Sequence, residues 1–238
     1  MRTLMYAAMS CAAIAASAQG DVLWDTGAPH PVVFNGTPTY LGYTSGNAGA
    51  GLEQRWAAVP FRIPAGGATV TQIDVDYFIA AGQEPTGVTF VVWDRAGLAA
   101  PTTMVTSFSM PLAIPTDDPR IPAADLYLNQ YSGLSLALAG GDYYLTVYGD
   151  GDPGVGTIAW LTGGDLQDES LEQGFMWRSA QFPSPGFQPY NPAAIQPDVG
   201  QDPDDPWNPS MTIYGDPIPA PASLALLGIG AVFARRRR

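Results

Sequence analysis

The sequence predicts an all-β fold, a jelly-roll-like β-sandwich of about eight to ten strands, and three observations carry that expectation. In residues 70–79 the side chains alternate with a period of two: Ile73, Val75, Tyr77 and Ile79 share one face, and Gln72, Asp74, Asp76 and Phe78 take the other. The apolar runs are short and punctuated by Gly, Pro, Asn and Asp; 27 glycines and 23 prolines cut the chain to strand-sized pieces. No stretch between the chain ends carries a helical stripe, residues 166–173 offering a turn or two at most.

Taken in order, residues 26–51 are Gly/Pro-rich, with Tyr40 and Tyr43 as their packed points. Strands are then expected at 55–63, 70–79 and 88–94. The last of these, Val88-Thr89-Phe90-Val91-Val92-Trp93-Asp94, becomes apolar on both faces, as a central strand of a sandwich does. Further strands are expected at 103–110, 135–138 and 143–148, the last aromatic and β-branched. Gly140-Gly141-Asp142 before it supplies a turn with positive φ and makes the run look like a hairpin. Residues 157–161, 174–179 and 210–214 complete the set. Between the last two lies 182–209, a long loop with eight prolines and the acidic group Asp202, Asp204 and Asp205. Proline fixes φ and removes ladder donors, so this segment cannot be a sheet interior.

The two ends read as addresses. Residues 1–18 have one early cation, Arg2, an apolar stretch, and Ala16-Ser17-Ala18, the small-x-small pattern cut by signal peptidase, which places the mature start between Ala18 and Gln19. At the other end, residues 217–238 combine Pro219-Ala220-Pro221, an apolar run over 222–234, and the tetrad Arg235, Arg236, Arg237 and Arg238. The apolar run is shorter than the roughly 20 residues a spanning helix needs. Four adjacent cations fit no buried core, and they anchor such a segment at the cytoplasmic face of a membrane. Residues 19–216 remain as one β-sandwich domain.

This three-part tail resembles the C-terminal sorting signal of exported bacterial PEP-CTERM proteins, with Ala220 where that family carries Glu. The resemblance implies a short C-terminal apolar helix, transient membrane anchoring and recognition by a sorting or processing membrane enzyme. It also implies a final location on the cell surface or in the extracellular matrix, with exopolysaccharide as a prospective partner. Residues 138–147, Trp160 and 211–215 are similar to the β-sandwich domains of such proteins. Those patterns recur in many extracellular sandwiches and bear on architecture, not activity.

Composition narrows the chemistry. Cys11 is the only cysteine and leaves with the signal peptide, so the mature domain has neither disulfide nor thiolate available. Lysine is absent; outside the two addresses five arginines stand against 22 acidic residues, a formal −17. Such a charge argues against nucleic acid as a partner and leaves membrane contact to the tail. Aromatic and β-branched content is too high for a disordered acidic chain.

Candidate sites are few. His30, the only histidine, stands between two prolines, so no histidine cluster can bind a metal. Gly133-Leu134-Ser135-Leu136-Ala137 lacks the final glycine and the following helix of a nucleophile elbow. Glu53, Glu84, Glu169 and Glu172 are the glutamates, and 168–172 reads as a solvated acidic turn rather than a glycosidase carboxylate pair. A structural Ca²⁺ would find its first candidates in Asp150 and Asp152, flanking Gly151, and in Asp202, Asp204 and Asp205. In the first group Gly154 stands where a third ligand would, and Leu161 where an EF-hand has its bidentate Glu. No cofactor is otherwise implied. The expected function is a non-enzymatic structural or adhesive role on the cell surface or in its matrix. The alternative is a lectin-like carbohydrate-binding module using Trp24, Trp56, Trp93, Trp160, Trp177 or Trp207, and a glycan-active enzyme is the more distant one.

Overall fold

The computed structural model describes residues 20–29, 31–34, 37–40, 42–46, 55–79, 81–95, 100–117, 127–152, 156–161, 176–179, 186–189 and 209–219. The chain is all-β: the described residues form strands and no helix. In order these are β1 (Asp21–Asp25), β2 (Pro31–Phe34), β3 (Thr37–Tyr40), β4 (Gly42–Gly46), β5 (Arg55–Ile63), β6 (Ala68–Phe78), β7 (Gly87–Asp94) and β8 (Met104–Pro111). Then come β9 (Thr116–Asp117), β10 (Tyr127–Leu138), β11 (Gly141–Asp150), β12 (Thr157–Leu161), β13 (Met176–Ser179), β14 (Gln188–Pro189) and β15 (Met211–Pro217). No helix among them is long and apolar enough to cross a membrane. The signal peptide, the tail from Ala220 onward, residues 166–173 and most of 182–209 lie outside the described residues.

Two antiparallel sheets are built from these strands. One runs β1-β15-β6-β10-β9; the other runs β8-β7-β11-β5-β13-β14. At one corner β12 joins them, pairing with β4 over 157–161 and with β6 through Ala159↔Phe78 and Trp160↔Tyr77. β4 meets β11 in parallel at Gly149↔Gly46, and β2 and β3 form a separate ribbon. The inner faces of the two sheets share one core, as in a sandwich. Val59, Phe61, Val88, Phe90, Val92, Leu145 and Val147 come from one side; Val70, Ile73, Val75, Tyr131, Met211 and Ile213 come from the other. Phe90 meets Tyr131 edge-on across the layers at 4.9 Å and stacks on Phe108 at 5.1 Å.

Several expectations are corrected by this packing. The period of two in 70–79 ends at Tyr77, since Phe78 and Ile79 are both exposed. It also passes through a bulge at Thr71, where Tyr214↔Gln72 is followed by Gly215↔Val70. The extra residue lets Val70 share the core face with Ile73, three positions later. The opposite face of β6 is not solvated: Asp74 and Asp76 are buried. Gln72 Nε2 donates to Asp74 Oδ1 at 2.7 Å, and Ser210 Oγ donates to Asp76 Oδ2 at 2.5 Å.

The 140–142 turn does not make a hairpin. β10 belongs to one sheet and β11 to the other, so the turn carries the chain across the sandwich. Gly140 is required there because a Cβ would stand 2.5 Å from the Ala65 carbonyl oxygen. The strand expected at 135–138 is the end of a 12-residue one, interrupted near Gly133, whose φ is 76°. Residues 26–51, read only as Gly/Pro-rich, contain β2, β3 and β4.

Candidate functional site

Strand alternation gives the second sheet an outer face as well as an inner one. On β7 the core takes Val88, Phe90 and Val92, which turns Thr89, Val91, Trp93 and, just past the strand, Arg95 outward. On β11 Tyr144, Thr146 and Tyr148 turn the same way, pairing with Trp93, Val91 and Thr89. On β5 Ala58 follows, and Trp56 two residues before it. Ala58, Tyr144, Met176 and Phe187 form a second buried cluster there, with Trp56, Trp93 and Ala100 packed against it.

The rings of this face form one connected surface. Trp56 stacks on Tyr148 with centroids 5.2 Å apart and 11° between planes. It lies 6.3 Å from Trp93 and 6.4 Å from Phe187, and Trp93 meets Phe187 edge-on at 5.5 Å. Trp93 Nε1 donates to Thr146 Oγ1 at 3.0 Å, which fixes the indole plane. Trp56, Trp93 and Tyr148 are half-buried residues, with the Trp56 indole nitrogen turned into the packing. Chemically, such a face can stack on flat apolar surfaces such as the C–H face of a pyranose.

A cation sits at the end of the cluster. Arg95 is only 5% exposed, and its guanidinium carbon lies 5.2 Å from the centroid of the Tyr144 ring. The guanidinium is close enough to favour the Tyr144 phenolate, but burial acts first and more strongly and pushes that phenol up. The Nε, Nη1 and Nη2 atoms of Arg95 are buried, and Arg95 acts on the Tyr144 phenol both as a nearby charge and as a side-chain hydrogen-bond donor. Its amide donates to the Asp142 carbonyl at 3.2 Å, yet the Asp142 carboxylate is held by Arg62, Nε to Oδ1 at 2.6 Å and Nη2 to Oδ2 at 3.2 Å.

The sequence-derived site residues are scattered. Asp150 closes β11 half-buried, its carboxylate accepting from the Thr89 hydroxyl at 2.7 to 2.8 Å; that hydroxyl also lies 2.6 Å from Ser109 Oγ. Asp152 is exposed, its carbonyl accepting from the Gly156 amide at 3.0 Å. Among the described residues no three carboxylate or histidine side chains converge as metal ligands. Asp202, Asp204, Asp205, His30, Glu53, Glu169, Glu172, Ala18, Gln19, Ala220, Pro221 and Arg235 to Arg238 lie outside the described residues, while Pro219 is exposed. Glu84 and Ser135 are exposed.

Of the tryptophans, Trp24 and Trp160 belong to the core, Trp160 donating its Nε1 to the Ser210 carbonyl at 2.8 Å. Trp56 and Trp93 are brought together, and Trp177 is the β13 partner of Ala57. Sequence reasoning missed Arg95 and Tyr148. Thr89, Val91, Trp93 and Arg95 alternate with the core residues of β7, but a run apolar on both faces does not itself show which side carries the core. Comparison with family models, with curated proteins and with solved structures finds no match to this chain.

Proposed function

We propose that this chain is an exported, non-enzymatic adhesive protein of the cell surface or its matrix, with a jelly-roll sandwich whose outer aromatic face is the contact surface for carbohydrate. The half-buried, mutually packed Trp56, Trp93 and Tyr148 carry the reading. Rings ordered in advance by their neighbours on residues that are only partly buried lose little entropy when a sugar ring stacks on them. The strand orders support the jelly roll. β1, β6, β10 and β15 lie in one sheet and β5, β7, β8 and β11 in the other, so apart from the β7-β8 pair the chain crosses between layers at each of these steps. The paired terminal addresses, 1–18 and 217–238, support export, with a sorting enzyme acting at the tail.

A glycan array probed with the full chain, with and without Ca²⁺, tests the contact surface. Saturable binding that falls at least about tenfold in Trp93→Ala or Trp56→Ala, with an unchanged melting transition, is expected. Binding that survives both substitutions refutes the assigned face, and release of reducing ends, abolished by changing Glu169 or Glu172, refutes the non-enzymatic role. For export, fractionation with N-terminal sequencing is expected to find a chain beginning at Gln19 outside the cytoplasm; a soluble cytoplasmic product retaining Met1 contradicts it.

A further inference from the structure

Each sheet of the sandwich ends in two edge strands, and an edge leaves a row of backbone N–H and C=O groups open to pairing with another chain. Three of the four edges are blunted. β1 carries a carboxylate at each end, Asp21 and Asp25, and a bulge between Val22 and Trp24. β9 and β14 are two residues long, one ending in Asp117 and the other in Pro189. The fourth edge, β8, is different: eight residues, no charge, and a proline only at the last position. Its irregularity is confined to one end, where Val92↔Thr106 is followed by Trp93↔Met104 and Val105 is the extra residue.

Among the described residues β8 pairs with β7 alone, and its side chains make one hydrogen bond, Ser109 Oγ with Thr89 Oγ1 at 2.6 Å. Ser107 and Ser109, the Cα partners of Val91 and Thr89, are exposed on the outer side, and Met104 and Val105 are 55% and 46% exposed. Thr106, Phe108 and Met110 alternate with the serines and are half-buried; Phe108 and Met110 pack against the core, Phe108 stacking on Phe90. Over 96–116 the sequence has no charged residue, in a domain of formal charge −17.

We infer that β8 is a self-association edge: two copies of this chain pair their β8 strands antiparallel about a two-fold axis at Phe108, the midpoint of the regular run 106–110. Charge selects the occupant. Copies of so acidic a domain repel wherever carboxylates face each other, and here they meet over side chains that carry none. A basic partner would be drawn to the acidic remainder of the surface rather than to this edge. The strand is also complementary to itself, as a two-fold interface requires: Thr106 stands opposite Met110, Ser107 opposite Ser109, and the two Phe108 rings flank the axis and extend both cores. Outer residues thus face outer ones, so the two sheets become one, with both aromatic faces on the same side. Their β7 strands run three strand spacings, about 14 Å, apart. Two contact faces in one particle raise avidity for a repeating ligand, while the pairing itself does not depend on what that face binds.

Sedimentation equilibrium on the full chain over about 1–500 µM tests this; one strand pair is a small interface, so a concentration-dependent monomer–dimer equilibrium is expected. Ser107 is exposed and makes no side-chain hydrogen bond among the described residues, so a charge placed there spares the contacts of the fold. Ser107→Lys and Ser107→Glu are each expected to weaken the dimer at least about threefold, because like charges beside the axis repel, and an equimolar mixture of the two is expected to regain it as a mixed dimer. A monomer throughout the range overturns the inference. A dimer that neither substitution moves also overturns it, since the contact then lies elsewhere, the tail included, and so does a mixture as weak as the single variants. The mass of the unaltered protein is read first, so the outcome does not hang on whether a variant folds.

Discussion

Removing both hydroxyls of the Tyr77 and Tyr131 pair is expected to destabilise the domain by less than the sum of the two single removals. The two phenols meet in the core at 2.6 Å, each almost fully buried, and the Ala113 amide also donates to the Tyr131 oxygen at 3.4 Å. Tyr131→Phe leaves the Tyr77 hydroxyl and the Ala113 amide without this partner, a loss of about 1–3 kcal/mol; Tyr77→Phe leaves Tyr131 with the amide and costs about 1 kcal/mol. With both rings made Phe the orphaned hydroxyl disappears, so the double variant is expected to sit at least about 0.5 kcal/mol above the sum of the singles. Urea unfolding followed by tryptophan fluorescence measures all three. Additivity within about 0.3 kcal/mol would refute the coupling, and with it the buried hydroxyl contact itself.

The same pair has a pH signature. Burial pushes both phenols above the ordinary tyrosine value, Tyr131 further because Tyr77 also opposes its ionisation. A phenol held neutral in the fold contributes stability that is complete below about pH 10, where the unfolded chain also keeps its proton. Above that it is lost at about 1.4 kcal/mol per pH unit for each tyrosine, because only the unfolded chain ionises. The unaltered protein is therefore expected to lose stability more steeply above pH 10 than the double Phe variant, and parallel pH profiles would contradict this.

Three further outcomes are expected. Gly140→Ala should destabilise by about 1–3 kcal/mol, because its Cβ would stand 2.5 Å from Ala65 O; equal melting temperatures for it and the unaltered protein would refute the tight crossing between sheets. Ser210→Ala should cost about 1–3 kcal/mol in urea unfolding, since the one proton of Ser210 Oγ is donated to the buried Asp76 carboxylate. Removing residues 219–238 should change where the protein ends up in fractionation without shifting its melting transition, and a collapsed transition would show that the tail holds core contacts.

Much of the fold is legible in local chemistry. Strands 55–63 and 157–161 coincide with those observed; Pro64 closes the first and Gly156 precedes the second. The alternation of Ile73, Val75 and Tyr77 names the core face of β6 directly. The targeting readings likewise come from sequence alone, since charge, small residues and apolar length are properties of the chain and not of its packing. Tertiary structure decided the rest. Asp74 and Asp76 look like a solvent face until the Gln72 and Ser210 side chains meet them, and which side of β7 faces water depends on the sheet opposite. Gly140-Gly141 permits a turn of either kind, and only the competition of β6 and β9 for β10, and of β5 and β7 for β11, sends the chain across the sandwich. The aromatic face is the clearest case: Trp56, Trp93, Tyr148 and Phe187 lie up to 131 positions apart in sequence and become one surface only because β5, β7 and β11 pair side by side.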